Sequence, residues 1–205
     1  MEGDSWAEVY RIYAESIDPR EQKPRDQLAA LLGRPDYEIL VAKRDGRIVG
    51  ISVLFVPPVE AFGLVEYMAV DAAERGGGVG AALFRQSREI ASTRHAGAPT
   101  ALLVEVDSDR VPSPAQELCE KRQRFYRRLG CLRIEGLSYE LPLAIGGVPP
   151  PMDLLLHRPP EMKTLAKDTL ERWLRSVYRE VYGCATDDPR IARMLESVED
   201  PVRLV

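Results

Sequence analysis

The chain has 205 residues, of which 45% are hydrophobic and 29% charged, with a formal net charge of −4. A chain of this length buries roughly 70% of the surface its unfolded form exposes and needs no covalent staple. The negative balance argues against non-specific affinity for nucleic acid or anionic lipid, so neither is an expected partner. The longest apolar run, Ile48 to Val56, falls well short of the about 20 residues that span a bilayer. The acidic N-terminus lacks the basic and apolar zones of a signal peptide, which gives a cytoplasmic expectation. Cys119, Cys131 and Cys184 form no C-x-x-C pair, and His95 and His157 adjoin no carboxylate cluster. A disulfide framework, a zinc ribbon and a Ser-His-Asp hydrolase therefore have little to be built from, and no metal is expected.

In chain order, Ser5 with Glu8 has the spacing of a capping box and opens an apolar stripe of Val9, Ile12 and Tyr13. A short helix follows Pro24, carrying Leu28, Leu31 and Leu32, and ends at Gly33. Tyr37–Lys43 and Arg47–Val56 are β-rich runs joined by Arg44-Asp45-Gly46, a hairpin signal because Gly accepts positive φ. Phe62–Val70 is a third strand. From Gly78 the periodicity becomes helical, with Val79, Ala82, Leu83, Ile90 and Ala91 on one face. Thr100–Val106 is a fourth strand. Ser113-Pro114-Ala115-Gln116 combines a cap, a first-turn proline and a capping-box Gln, and opens a helix to Leu129. Leu132–Pro142 and Met152–His157 read as two closing strands. After Pro159-Pro160 a long stripe of Met162, Leu165, Ala166, Leu170, Trp173, Val177 and Val181 stops at Gly183, and Asp188-Pro189 starts a last helix. This order predicts an α/β layered fold, a mixed and largely antiparallel sheet flanked by helices over residues 1–160. A C-terminal helical extension over 161–205 is expected to cover the core or offer a homodimer face.

The stretch from Met68 to Leu83 carries the chemistry. A strand runs into Arg75-Gly76-Gly77-Gly78-Val79-Gly80, and this turn opens a helix. Helix N-termini present unpaired amides and about half a unit of positive charge, and glycines let those amides approach an anion. The pattern suits a pyrophosphate cradle. It lacks the Gly-Lys-Ser/Thr of a nucleotide-hydrolysing loop. An antiparallel hairpin precedes it, where a dinucleotide fold would need a parallel unit.

Arg75-x-x-Gly78-x-Gly80 after a strand ending Ala69-Val70 resembles motif A of the GCN5-related N-acetyltransferase (GNAT) superfamily. Phe125-Tyr126-Arg127-Arg128-Leu129-Gly130 is similar to its motif B, and Leu103-Val104-Glu105-Val106 to a strand of the ribosomal-protein N-terminal acetyltransferases within it. The resemblance spans about residues 5–157. It implies acetyl-CoA as cosubstrate, with the backbone of Met68, Ala69 and Val70 along the pantetheine arm. The loop from Arg75 through Gly76, Gly77, Gly78, Val79, Gly80 and Ala81 would lie at the pyrophosphate.

Transfer of acetyl to a primary amine by direct attack is implied, with Tyr126 protonating the departing thiolate; outside the motif Tyr126 would read as a core aromatic. The acceptor amine must lose a proton, since an amine of pKa near 10.4 is only about one part in a thousand neutral at pH 7.4. Glu105 and Glu66 are the two candidate bases, Glu105 the first choice. Glu15, Asp18 and Asp107 add to them an acidic ensemble suited to a cationic small-molecule or peptide acceptor. A protein N-terminal or lysine acetyltransferase and a catalytically silent CoA-binding module stay open. Gly77 stands where many relatives carry a cation, and Arg122, Arg124, Arg127 and Arg128 form either a phosphate stripe or a solvated helix face.

Overall fold

A computed structural model describes residues 3–143 and 149–205; Met1 and Glu2 of the acidic N-terminus lie outside it. Helix α1 spans Gly3–Ser16 and α2 Arg25–Ala30, the latter tightening into a 3₁₀ turn at Leu31–Gly33. Strands β1 (Tyr37–Arg44), β2 (Arg47–Phe55) and β3 (Phe62–Val70) follow as an antiparallel meander. The β1–β2 turn has Asp45 at φ 50° and Gly46 at φ 79°, both positive, as a two-residue type I′ turn requires. Helix α3 (Val79–Arg94), β4 (Ala101–Asp107), α4 (Gln116–Arg128), β5 (Cys131–Arg133) and β6 (Met152–His157) complete the domain. The tail supplies α5 (Lys167–Ser176), a π-helical turn at Val177–Val181 and α6 (Pro189–Leu195).

The six strands lie in the order β1-β2-β3-β4-β6-β5. Every pairing is antiparallel except β3 with β4. This is the mixed, largely antiparallel sheet that the element order predicts. One face buries Val9, Ile12 and Tyr13 of α1 together with Leu170, Trp173 and Tyr178 of the tail; the other buries Phe84 and Ala91 of α3 with Tyr126 of α4. Trp173 lies against Phe62 with ring centroids 5.4 Å apart. The apolar stripe of the tail thus closes one face of its own sheet. Among the described residues no helix is long and apolar enough to cross a membrane.

Four local expectations need correction. Helix α1 already runs at Gly3, so Ser5 is inside it and not its cap, and the Glu8 carboxylate accepts from the amide of Ile48 at 3.4 Å. Helix α4 starts after Ala115: Ser113 Oγ accepts from the amide of Ala115 in a preceding turn, and Gln116 donates to Asp109 O instead of closing a capping box. On α3 the buried stripe is Leu83, Phe84, Ser87 and Ala91, while Ala82 is exposed. The strand expected over Leu132–Pro142 shrinks to Cys131–Arg133. Its continuation pairs with the chain end instead, through Arg133 with Val205 and Glu135 with Arg203. Gly136, at φ 76°, then turns it away with tail backbone pressed against it.

Candidate active site

Strands β3 and β4 pair only from Phe62–Ala101 to Val65–Val104, after which they part. Beyond that point β3 keeps β2 on its other side, and β4 keeps β6. The facing edges of Glu66–Val70 and Glu105–Asp107 therefore hold backbone groups with no ladder partner between them, a wedge open to an extended ligand arm. Glu66 and Glu105 are the first residues past the last pair. A bulge adds to this, since Tyr67 pairs with Val53 and Val65 with Leu54, leaving Glu66 as the extra residue. Bulges re-aim side chains, and here Glu66 and Tyr67 both line the same cleft.

That cleft encloses about 510 Å³, including space open to solvent, and its walls come from four parts of the chain. Arg20 to Lys23 arrive from the α1–α2 connection, Glu66 and Tyr67 from β3, Glu105 from β4, and Leu141 to Leu143 with Tyr182 from the C-terminal half. Lys23 Nζ meets Glu66 Oε1 at 2.5 Å and lies 5.4 Å from the Tyr182 ring centroid and 5.9 Å from that of Tyr67. Glu66 is thus bound to a cation. Among the described residues Glu105 has no cation at contact distance; its two oxygens accept from the hydroxyls of Tyr139 and, at 2.5 Å, Tyr182. Burial pushes the Glu105 carboxyl up to about 7 against the lowering effect of the two phenols. Glu21 is also pushed up to about 7, by burial and then by Asp107 and Asp18.

On the loop side, Asp71 Oδ1 accepts from the amide of Ala73 and fixes a 3₁₀ turn at Ala72–Glu74. Arg75 folds back to donate to Val70 O at 3.1 Å. Gly76 and Gly78 take φ of 84° and 82°, and nothing lies within 4 Å of where a Cβ would stand at either. Helix α3 begins on Gly78 with no side-chain cap, so its first amides are free for an anion. Gly80 serves packing, since a Cβ there would stand 3.2 Å from Phe125 Cζ of α4. The guanidinium of Arg44 lies against Gly77, 3.4 Å from its would-be Cβ, and pairs with Glu74. It brings a cation to a loop position whose own residue has none.

Residues 6–131 match the model of the acetyltransferase (GNAT) family. The chain belongs to that family. No curated protein matches it by sequence. Among solved structures it is similar to a GNAT-family acetyltransferase from Bacteroides thetaiotaomicron, at 21% identity and TM-score 0.69 over 89% of this chain and 94% of that one. It is also similar to an aminoglycoside 6′-N-acetyltransferase complexed with coenzyme A, at 17% identity and TM-score 0.55 over 76% and 89% of the two chains. A GNAT acetyltransferase from Elizabethkingia anophelis with acetyl-CoA bound gives 18% identity and TM-score 0.50 over 73% and 90%.

Within this GNAT fold, Glu66 and Glu105 share the cleft, whereas Tyr126 belongs to the apolar cluster on the opposite sheet face with Val65, Val104 and Val106. Its ring sits 5.0 Å from Phe125 and 6.0 Å from Phe84. Burial raises the phenol, so it stays protonated. The arginine series divides: Arg122 pairs with Asp107 and Arg127 with Asp109, while Arg124 and Arg128 face solvent. Cys131 is buried and its thiol pushed up to about 12, and burial also raises Cys184, which leaves neither with the thiolate character of a nucleophile. Sequence reasoning missed Lys23, Glu21 and Tyr182 as cleft residues and Tyr139 as a partner of Glu105. Lys23 and Glu21 sit in an irregular connection, and Tyr139 and Tyr182 reach Glu105 only through the tail's docking, so no local pattern marks them.

Proposed function

We propose that this protein transfers acetyl from acetyl-CoA to a primary amine, the amine attacking directly. The observation that carries the reading is the wedge between β3 and β4, with an uncapped glycine-rich helix start at one end and the Glu105 cleft at its apex. The fit to the cosubstrate rests on the same features. The open Cβ space at Gly76 and Gly78 and the free amides from Val79 to Ala81 suit a pyrophosphate, with Gly77, Gly80 and Arg75 completing the loop. The β3 edge at Met68, Ala69 and Val70, which has no strand partner on the β4 side, suits an amide-bearing arm. When bound there, acetyl-CoA supplies an activated acyl thioester.

This chain's own residues supply the rest. A strand amide aimed at the developing oxyanion contributes about 2.7–4 kcal/mol in comparable sites. Glu105 takes the acceptor's proton at a carboxylate oxygen, and a base poised near neutral pH does so more readily than an ordinary carboxylate. Glu66 is engaged with Lys23, so its role is to hold the cleft floor and its charge. Tyr126 keeps its proton at neutral pH and holds it for the departing sulfur. Glu21 and Glu105, neither of them in an ion pair among the described residues, favour a cationic small-molecule or peptide acceptor.

The test is thiol release from acetyl-CoA across a panel of primary amines, small and peptidic. Release that needs both acetyl-CoA and an amine, and that falls in Glu105→Gln, supports the reading. Tight acetyl-CoA binding without amine-dependent release would return the protein to a CoA-binding module.

A further inference from the structure

Residues 161–205 lie beyond the family match, which ends at position 131, yet they reach the centre of the cleft. Helix α5 does not continue as an α-helix to its end. It widens into the π turn Val177–Val181 and hands over to Tyr182, with Gly183 at φ 68° closing the element. Wide turns of this kind inside helices recur at functional sites because they rotate the next residues relative to a regular helix. Here the residue delivered is Tyr182, whose hydroxyl donates to Glu105 Oε2 at 2.5 Å. Tyr139 donates to the other oxygen from the segment that the chain end holds in place.

We infer that the C-terminal segment is part of the acceptor site, with Tyr182 a positioning residue that orients the Glu105 carboxylate together with Tyr139. The inference rests on the proposed amine-acetyltransferase reading. A carboxylate has about four lone-pair sites. One phenol on each oxygen occupies two of them and fixes the carboxylate plane, leaving the others for an incoming ammonium. Glu105 first takes one proton from the ammonium. The neutral amine then bonds to the acyl carbon, the carbon–sulfur bond breaks, and the sulfur leaves with the Tyr126 proton. The second nitrogen proton replaces it, and neither the Tyr139 nor the Tyr182 O–H bond breaks. Burial keeps both phenols protonated, hence donors.

Tyr182 is itself held. Lys23 stands over its ring, contacts Glu66 at 2.5 Å and donates to Val181 O at 3.3 Å. One ammonium thereby ties the α1–α2 connection, the β3 bulge and the tail together. Among the described residues, the titratable groups that act on Glu105 are Tyr139, Tyr182, Glu66 and Lys23, and Glu105 acts in turn on Tyr67 and Tyr178; Glu21, Arg20 and Tyr67 share its cleft.

The experiment is Tyr182→Phe, which keeps the ring and removes the donor. A hydrogen bond to the ionised carboxylate favours the charged form, so its loss raises the pH at which Glu105 ionises. The acid limb of kcat should move up by about one pH unit and kcat fall about fivefold near pH 7 and about tenfold well below it, with KM for acetyl-CoA unchanged. Tyr178→Phe is the control: its hydroxyl, in the same turn, donates to Glu140 O, and the limb should stay. The carboxyl infrared band of Glu105, assigned by difference against Glu105→Gln and titrated with pH, reads the same shift without turnover. It separates failure of this inference from failure of the acetyltransferase reading. Where Tyr182→Phe does not fold, Tyr139→Phe in the same titration takes its place. A band midpoint and acid limb that stay at the wild-type pH in the folded variant would overturn the inference, as would a loss of kcat equal at all pH values.

Discussion

Glu66 and Glu105 leave neighbouring strands at the same level and meet different contact partners. Glu66, with its side chain almost wholly buried, faces Lys23; Glu105 faces two phenols. Removing one partner of a buried ion pair leaves the other charge uncompensated and costs about 3–5 kcal/mol. Glu66→Ala is therefore expected to lose stability on that order in urea unfolding. Glu105→Gln should lose no stability, gaining some where the wild-type carboxylate is ionised, and lose kcat, most severely near neutral pH and less as the acceptor arrives already neutral at high pH. A pH–kcat profile of Glu105→Gln that overlays wild type would remove it as the base. Tyr126→Phe should bind acetyl-CoA normally and turn over about 10²–10⁴ times more slowly, the range for a lost general acid, as steady-state kinetics would show. Glu105 and Tyr126 were legible in the sequence because each sits in a short local motif. The partners of Glu105 were not, because a hydroxyl 77 positions away has no local signature.

At the scale of elements, the strand-to-helix turn is the part the cosubstrate would touch first. Gly78 has open space where a Cβ would stand but a φ of 82°, a conformation that costs a residue with a Cβ about 1–2 kcal/mol. Gly78→Val should therefore lower the melting temperature by a few degrees and abolish acetyl-CoA binding in calorimetry. Undiminished affinity would sink the cradle assignment. Elements with a local cause could be read from sequence: the Asp45-Gly46 turn, the strand Phe62–Val70 and the helix begun by Asp188-Pro189. The segment after Arg133 could not. Its apolar spacing suits a strand, but its partners are Leu204, Val205 and Arg203 from the chain end. The bulge at Glu66 is equally invisible, since it exists only in the register with β2.

For the whole molecule, the two raised carboxyls make a prediction of definite sign. Glu21 and Glu105 ionise near 7 in the folded chain and near about 4.3 when unfolded. The folded state then binds the more protons between those values, so their contribution is full below about 4.3 and lost as pH rises through 7. His157, lowered by burial, has the opposite sign, but its effect is complete by about pH 6.5. Between pH 6.5 and 8 the melting temperature should therefore fall, and Glu105→Gln should flatten that slope. A flat wild-type curve would contradict the burial of both groups.

The two faces of the sheet divide the chemistry. The α3–α4 side carries the loop and Tyr126, and the tail side carries the Glu105 cleft, so in the proposed reaction acetyl would cross at the β3–β4 wedge. Mass spectrometry of a mixture of protein, acetyl-CoA and a primary amine reads that crossing directly. The expected result is one acetyl group added to the amine nitrogen, with the mass of the protein unchanged. An unmodified amine throughout the panel, or acetyl retained on the protein as an obligatory intermediate, would contradict direct transfer across the wedge.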